Sequence, residues 1–527
     1  MPVTEVPYSI LVLAPFAPVP ETGPQGGLIP ADLSSLDEAA AAVNPRFYIP
    51  APLEACPAGG VAIEIKSLKD FKPDRLVSNT AYLKTVREAG RYVAEALAGG
   101  AAPRKISERL RSDWPGLPAG LTSPPAGSRT GKRAPSQVDD ILTLVAQPEG
   151  GGKTPGPQTK DWPARFDDLL ADLLRAIFGQ PEFRAAEAAW RGLEVLVSQG
   201  QIKEGQGFKL NLATVSLDSL EETLNRLKDD FSALPPHLGL IDLPGDSSPR
   251  GLELLEKTAN WAEELLTPTA CWLGPAFFHL KDWSELKRVP YLKHYLEDAA
   301  FAKWRKLADR SAADWLCLTL NRFLGRLPYG RDNRPKGVYF EEEEPLWLSP
   351  VWALGALAAQ SVNGFGWPSR LTDYNRVSLT NLPLAGAGGE GPAATEMLLS
   401  EDRLFEFIEV GLSPLFGPLR KDVAFLPKEA TLARGSFKGQ LFVARLFGFL
   451  FWCRENLAVP AGTVELAGQV KAALARFWEG TGHQPPDDLE VTPGGAGPEG
   501  PVHLKIGLTP PRSVWPGASR LEFTFNW

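Results

Sequence analysis

The sequence predicts a mixed α+β protein in which a sheet is combined with a large helical content. Short apolar runs that end at turn residues, such as YSILVLAPF at residues 8–16, are typical of buried strands. Longer segments place apolar residues at steps of three and four, which is the period of one helix face. Because strand and helix patterns alternate along the chain, an α+β or α/β fold is favoured over an all-β sandwich.

The bulk composition indicates a globular protein with more than one domain. Its 527 residues exceed the roughly 250–300 at which single hydrophobic cores stop growing. A hydrophobic share of 44%, with 15 tryptophans and 26 phenylalanines, supplies large side chains for cores and interfaces. The net charge of −8 disfavours a mainly phosphate-binding surface, so nucleic acid is not an expected partner.

The cysteine pattern and the apolar runs indicate the compartment. Four cysteines lie far apart without a CxxC pair, which fits reduced thiols in a cytoplasmic protein. The first residues lack the basic region and cleavage site of a signal peptide. No run reaches the 18 to 20 or so apolar residues of a membrane span. We therefore expect a cytoplasmic protein without membrane insertion.

The first part of the chain predicts strands and helices that precede a linker. Alternation around Val61, Ile63 and Ile65 indicates a second strand, and helices are predicted over 79–97 and 104–114. Proline, glycine and serine then dominate until about residue 160. We expect three regions: 1–117, a linker at 118–160 and a larger region at 161–527.

One short amphipathic helix is predicted inside that linker. In VDDILTLVAQ, residues 138–147, the apolar side chains share one face; they are Val138, Ile141, Leu142 and Val145. Both local packing and recognition by a partner are consistent with this pattern.

The larger region begins with two predicted helices, at 161–178 and 181–197. In the second, PEFRAAEAAWRGLEVLV, Phe183 and Trp190 belong to an apolar face, and a charged row containing Glu187 and Arg191 is predicted on the other side. Gly192 is predicted to be a close-packing point against a neighbouring element.

Strand and helix patterns alternate through the rest of this region. Strands are predicted at 207–216 and 238–244, a helix at 252–266, and helical runs near 293–315 and 430–457.

The end of the sequence predicts two strands, at 502–510 and 520–527. In the second, alternate residues share one apolar face; they are Leu521, Phe523, Phe525 and Trp527. Such a strand must pair within its own sheet or with a neighbour's. We expect these terminal strands to be open to pairing between subunits.

Catalytic and metal-binding patterns are weak. Five histidines occur without HExxH or metal-ligand spacing, so no metal and no cofactor is expected. GGGKT at 150–154 lacks the first glycine of a phosphate loop, and GAGPEG at 495–500 runs into a strand where a dinucleotide site needs a helix. We expect no catalytic residues.

A charged segment, 321–334, leaves two interpretations open. Arg322 and Arg326 are four residues apart and would point the same way on a helix, ahead of a turn at Pro328, Tyr329 and Gly330 and of the acidic run at 341–344. These groups could form an anion or divalent-cation site. Alternatively, the arginines fix a loop against Glu341, Glu342 and their neighbours.

Taken in order, these segments resemble the two proteins of the type VI secretion contractile sheath. The region from Val138 resembles the large subunit through FxxxExxWRGLxxLV at 183–197, LNRFLGRLPYG at 320–330, EE and LW within 341–347, NLP at 381–383 and IGLTPP at 506–511. The segment with SILVLAPF and IEIKSLKDFKPDRLV is similar to the small subunit. The large subunit normally has LWGN where this chain has LWLS.

The resemblance implies a natural fusion of the two sheath proteins and a structural role without catalysis. It implies self-association into a helical sheath around an inner tube, attachment to a baseplate, strand exchange between neighbours and contraction that expels the tube. It also places the 138–147 helix where the family is gripped by an AAA+ recycling ATPase. Two alternatives stay open: a non-contractile baseplate, cap or adaptor component, and an enzyme or anion-binding protein that uses Arg322, Arg326 and Glu341–Glu344.

Overall fold

The structure, a computed structural model, describes most of the chain. The residues described are 6–18, 28–30, 36–124, 162–203, 205, 207–386, 391–458, 462–494 and 502–527. The helix predicted at 138–147, with Val138, Ile141, Leu142 and Val145, lies outside these residues, as do the GGGKT and GAGPEG segments.

A seven-stranded sheet, counted over the described residues, forms the centre of the protein. Its strand order is β13-β8-β7-β6-β1-β5-β2. The strands are β1 (Tyr8–Ala14), β2 (Ile29–Pro30), β5 (Phe208–Thr214), β6 (Leu238–Gly245), β7 (Thr269–Leu273), β8 (Leu316–Leu320) and β13 (Leu412–Pro414). Every neighbouring pair is parallel except β2 with β5.

The middle strands are apolar on both faces because helices cover both sides of the sheet. All five residues of β8 are buried, and in β1 only Ser9 is partly exposed. Continuous apolar runs are what a parallel sheet buried on both faces requires. The mixed α/β fold predicted from the sequence is confirmed.

Strand β1 lies between β5 and β6, so the first segment of the chain completes the sheet of the larger region. Its register runs from Tyr8 opposite Phe208 to Ala14 opposite Thr214. The predicted boundaries at residues 117 and 160 stay a prediction, but the two regions share one sheet and one hydrophobic core.

The α-helices lie on both faces of the central sheet and around it. In the first segment they are α1 (Leu36–Val43), α2 (Pro73–Asn79), α3 (Ala81–Ala98) and α4 (Pro103–Asp113). The larger region holds α5 (Trp162–Gly179), α6 (Pro181–Gln199), α7 (Leu220–Asp230), α8 (Pro249–Glu264), α9 (Leu292–Leu296), α10 (Ala302–Ala308), α11 (Pro350–Phe365), α12 (Glu401–Glu409), α13 (Phe437–Asn456) and α14 (Thr463–Gly480). No helix among the described residues has the length and apolar character needed to cross a bilayer.

Smaller sheets surround this centre. Three have two strands: β3 (Arg46–Pro50) with β4 (Gly60–Glu64), β9 (Phe323–Arg326) with β10 (Leu346–Leu348), and β11 (Ala385–Gly386) with β12 (Pro392–Ala393). The last described segments form an antiparallel sheet of β14 (Glu490–Pro493), β15 (His503–Leu508) and β16 (Leu521–Asn526).

Candidate functional site

The segments singled out by sequence meet in one buried ionic cluster. We call it the arginine–glutamate cluster; its members are Arg184, Glu187, Arg191, Arg326 and Glu342. Helix α6 supplies the first three residues, the end of β9 supplies Arg326, and the acidic run before β10 supplies Glu342.

Arg326 is the centre of this cluster. Its Nε and Nη2 donate to the two carboxylate oxygens of Glu187 at 2.8 Å each. Its Nη1 donates to Glu342 Oε2 at 2.5 Å and to the Leu327 carbonyl at 3.2 Å, and Nη2 also donates to Glu342 Oε1 at 3.1 Å. A guanidinium has five N–H groups, so all of its donors have acceptors inside the protein.

Aromatic rings enclose the guanidinium of Arg326. Its Cζ lies 4.4 Å from the centroid of the Tyr329 ring and 5.4 Å from that of Phe178. Only 8% of the Arg326 side chain is exposed, against 0% for Glu187 and 3% for Glu342. The pairs are therefore strongly desolvated, which makes them costly to break.

The other two arginines complete the charge balance around the two carboxylates. Arg184 Nη1 donates to Glu342 Oε1 at 2.5 Å, and Arg191 Nε donates to Glu187 Oε1 at 2.8 Å. Burial alone would raise the pKa of Glu187, but the ion pairs with Arg326 and Arg191 together hold that pKa below its ordinary value. The same carboxylates raise the pKa of Arg326 against the opposing effect of its burial.

The cluster fixes the Pro328–Gly330 turn against the acidic run. The Tyr329 amide donates to Glu342 Oε2 at 3.1 Å, and the Glu342 amide donates to the Tyr329 carbonyl at 2.8 Å. The adjacent carboxylates point elsewhere: Glu341 is exposed and accepts from the Tyr339 hydroxyl. The described residues contain no group of three or more side chains arranged to hold a metal ion.

The helical geometry considered for Arg322 and Arg326 does not apply in the structure. The segment that carries Arg326 is a strand and not a helix, because Phe323–Arg326 pairs with β10. Arg322 consequently contacts a different carboxylate, Glu396, through two hydrogen bonds of 2.8 and 2.7 Å. The structure therefore does not bring Arg322 to the Glu341–Glu344 run.

Glu187 was also misplaced, on an exposed charged row. It is fully buried, because it lies four residues after Phe183 and three before Trp190, at the border of the apolar face. The FxxxExxWRGL pattern contained this signal: a lone acid stands at helical spacing between two large aromatic residues.

Each residue of the Trp-Arg-Gly motif contacts a different part of the molecule. The Trp190 indole Nε1 donates to the Phe16 carbonyl at 2.9 Å, just beyond β1, and Arg191 pairs with Glu187. Gly192 faces α11, where an added Cβ would lie 2.4 Å from Cε2 of Trp352. The motif thus joins the first segment, the ionic cluster and α11 through one helical turn.

Sequence reasoning also missed Asp242, a buried acid within β6. The Trp352 indole Nε1 donates to its Oδ2 at 2.8 Å. Burial raises the pKa of Asp242 above its ordinary value of 3.8. An acid within the apolar run LGLIDLP was the available signal.

The C-terminal sheet presents free edges. Side chains on one face of β16 pack inward: the Phe523 ring lies 4.8 Å from Phe447 and the Phe525 ring 5.4 Å from Phe451, both on α13. Leu521 and Trp527 are half-buried on the same side. Strands β14 and β16 each have a partner on one side only among the described residues.

The backbone direction of β16 follows from its ladder. The Trp527 amide donates to the Val502 carbonyl at 2.8 Å, so the N–H groups of alternate residues from Leu521 to Trp527 face β15. Those of Glu522, Thr524 and Asn526 therefore point away from β15, at the free edge.

In the part of the chain that the structure describes, the clustered charged groups bind one another and the last sheet has free edges. Comparison with known proteins identifies the class as type VI secretion sheath proteins. Residues 161–234 and 240–432 match the VipB family, described as an EvpB-type tail sheath N-terminal domain. The chain belongs to this family.

A curated relative supports the same assignment. The type VI secretion system sheath protein TssC1 of Pseudomonas aeruginosa is 25% identical over 293 residues, which is 50% of this chain. The match spans 58% of the length of that relative.

Proposed function

We propose that the chain is a fused protomer of a type VI secretion contractile sheath. The region at 1–117 takes the place of the small subunit, residues 118–160 form the linker, and the region at 161–527 takes the place of the large subunit. Copies assemble into a helical tube around an inner tube, and contraction of the tube expels the inner one from the cell.

The position of β1 carries the fusion part of this proposal. A strand from the small-subunit-like region lies inside the sheet, between β5 and β6 of the region that matches the sheath family. The Trp190 bond to Phe16 adds a second link between the two regions. A covalent connection makes the assembly of these two halves an intramolecular event.

The open edge of β16 supports assembly by strand addition. A strand from a neighbouring copy would bind the outward N–H and C=O groups of Glu522, Thr524 and Asn526, which is a recurrent way of joining chains through main-chain hydrogen bonds. Contacts of this head-to-tail kind generate an open helical array.

The arginine–glutamate cluster supports a structural role for the residues that resemble an anion site. All five N–H groups of Arg326 are bonded to protein oxygens, so binding an external anion there would require breaking buried ion pairs. We propose that the chain is not an enzyme and that contraction draws on energy stored in the extended lattice.

The partners follow from the same proposal. We infer that the chain acts in the bacterial cytoplasm with an inner tube protein and a baseplate, and that an AAA+ ATPase recycles the contracted sheath by gripping residues 138–147.

Electron microscopy of the purified full chain, with and without the inner tube protein, tests the proposal. Tubes are expected, and removal of residues 518–527 should abolish them. Protein with intact termini that stays dispersed at high concentration would contradict sheath assembly. Discrete particles in place of tubes would instead support the baseplate, cap or adaptor alternative.

A further inference from the structure

Three polar side chains from distant parts of the chain meet in a buried position outside the arginine–glutamate cluster. Tyr8 begins β1, His237 immediately precedes β6, and Arg445 lies in the middle of α13. Their exposed fractions are 0%, 4% and 7%. We call this group the Tyr8–His237–Arg445 cluster.

The side chains of this cluster lie against one another. The rings of Tyr8 and His237 are stacked, with centroids 5.3 Å apart and planes 11° from parallel. The Arg445 Cζ lies 5.4 Å from the Tyr8 ring centroid and 5.5 Å from that of Phe477 in α14. The guanidinium is therefore close to two aromatic rings and removed from bulk water.

The hydrogen bonding leaves a set of donors without acceptors. The Ser9 amide donates to Nδ1 of His237 at 2.8 Å, so the neutral imidazole carries its hydrogen on Nε2. Within the described part of the chain, that Nε2, the Tyr8 hydroxyl, and Nε and Nη1 of Arg445 have no hydrogen-bond partner. All four groups can donate, so what is missing is an acceptor.

The charge of Arg445 is also unmatched. Burial lowers the pKa of Arg445 to about 10, so the guanidinium remains a cation at neutral pH, and burial lowers the pKa of His237 to about 3, so the imidazole is neutral. Among the described residues no carboxylate pairs with Arg445, whereas Arg326 binds two. A buried charge without a partner is strongly unfavourable.

A glycine stands beside the unpaired imidazole nitrogen. Gly448 follows Arg445 by three residues on α13 and so lies on the same helix face. A Cβ at this position would lie 2.2 Å from Nε2 of His237. The absence of a side chain therefore lets the edge of the His237 imidazole pack against α13, beside Arg445.

We propose that the Tyr8–His237–Arg445 cluster binds a small anion with oxygen or halide acceptors. The guanidinium supplies the charge, and the imidazole Nε2 and the tyrosine hydroxyl supply neutral donors, which together favour an anion over a neutral molecule. Two sources share this chemistry: a free ion such as phosphate, and a carboxylate from a second copy of the chain.

Thermal unfolding of the dispersed full chain tests the first source and does not depend on sheath assembly. We would titrate phosphate at constant ionic strength and compare wild type with Arg445→Met, which keeps an unbranched side chain and removes the charge. Wild type should show a saturable rise in Tm. The phosphate concentration at half-saturation should be about tenfold lower, or more, for wild type than for the variant. Arg476→Met removes an exposed charge from the adjacent α14 and should behave as wild type.

A crystal soaked in bromide gives a second readout that does not depend on the stability of a variant. An anomalous peak within hydrogen-bond distance of Arg445 Nε or Nη1 would support the site. If the ligand is instead a carboxylate from a second copy, the Tm of dispersed wild type and that of Arg445→Met should respond equally to phosphate. Arg445→Met should then fail to form tubes under conditions in which Arg476→Met forms them. Equal phosphate response and equal assembly, with only a water at these donors, would overturn the proposal.

Discussion

Glu187 and Arg326, separated by 139 residues in sequence, share two parallel hydrogen bonds of 2.8 Å inside the protein. This bidentate pair joins helix α6 to the end of β9. Glu187 is fully buried and Arg326 is only 8% exposed, so water cannot readily replace either partner when the other is removed.

Removing Arg326 should therefore destabilise the fold strongly. Arg326→Met leaves Glu187 and Glu342 buried with fewer counter-charges, and we expect a loss of about 3–5 kcal/mol in the free energy of unfolding. Chemical denaturation would measure it. Arg331→Met, an exposed arginine of the same loop, should cost less than about 0.5 kcal/mol. Equal losses in the two variants would contradict the role given to the cluster.

Acid should weaken the cluster through Glu187. The folded-state pKa of Glu187 lies below its ordinary value of 4.5, so the unfolded state binds the proton first. The stability contributed by this carboxylate is complete above about pH 4.5 and is lost as the pH falls through the folded-state pKa. The difference in unfolding free energy between wild type and Glu187→Gln should accordingly shrink below about pH 4.5. If the difference in unfolding free energy between the two proteins stays constant into strong acid, Glu187 does not contribute stability in this way.

Asp242 should make stability depend on pH in the opposite direction. Its folded-state pKa is raised by burial, so stability falls as the pH rises from its ordinary value of 3.8 through the folded-state pKa. Asp242→Asn keeps an oxygen for the Trp352 indole and removes the charge. We expect the variant to be more stable than wild type at pH 7, with the gain vanishing as the pH approaches 3.8. Asp218→Asn, at an exposed position, is the control and should show no such trend.

Gly192 should tolerate no side chain. In Gly192→Ala the new Cβ would lie 2.4 Å from Cε2 of Trp352, so the helices must separate. A loss of about 1–3 kcal/mol is expected from overpacking, and more for Gly192→Leu, which should also impair assembly. Gly468→Ala in α14, where nothing lies within 4 Å of an added Cβ, should instead gain up to about 1 kcal/mol from helix propensity. Thermal unfolding would separate the two outcomes, and a Gly192→Leu variant that folds and assembles normally would refute this packing.

Blocking the edge of β16 should prevent assembly without unfolding the protomer. Thr524→Pro removes an N–H that points away from β15, and proline is tolerated on an edge strand when its missing donor faces solvent. We expect near-normal Tm and no tubes by electron microscopy. Thr524→Val keeps the N–H and should still assemble. Tubes formed by the proline variant would show that this edge is not used.

The sequence predicted three strands of the central sheet, β1, β5 and β6, because each is a short apolar run bounded by turn residues, whereas β2, β7, β8 and β13 were not predicted. The run at 8–16 contains β1, and that at 238–244 contains most of β6. Helix α11 was not predicted. Its twelve buried residues are distributed around the whole helix, so no polar face marks its period.

The candidate site was only partly predictable because its contacts join distant segments. The spacing of Arg322 and Arg326 would place both side chains on one face of a helix, whereas pairing of Phe323–Arg326 with β10 makes the segment a strand. An ion pair between Arg326 and Glu342 was one of the two interpretations of the charged segment. The ion pair between Arg326 and Glu187 depends on the packing of α6 against β9. No local pattern contains that information.

The position of β1 in the middle of the sheet also constrains how the protein is made. Tyr8 pairs with Phe208, so β1 leaves the ribosome 200 residues before its neighbour β5 exists. At about 5–20 residues per second, that delay is about 10–40 s, during which an apolar strand has no ladder partner. Translation of a single chain also fixes a one-to-one ratio of the two halves. Neither half can accumulate alone. The period in which β1 lacks a partner ends when the same chain folds, and no encounter with a second molecule is needed.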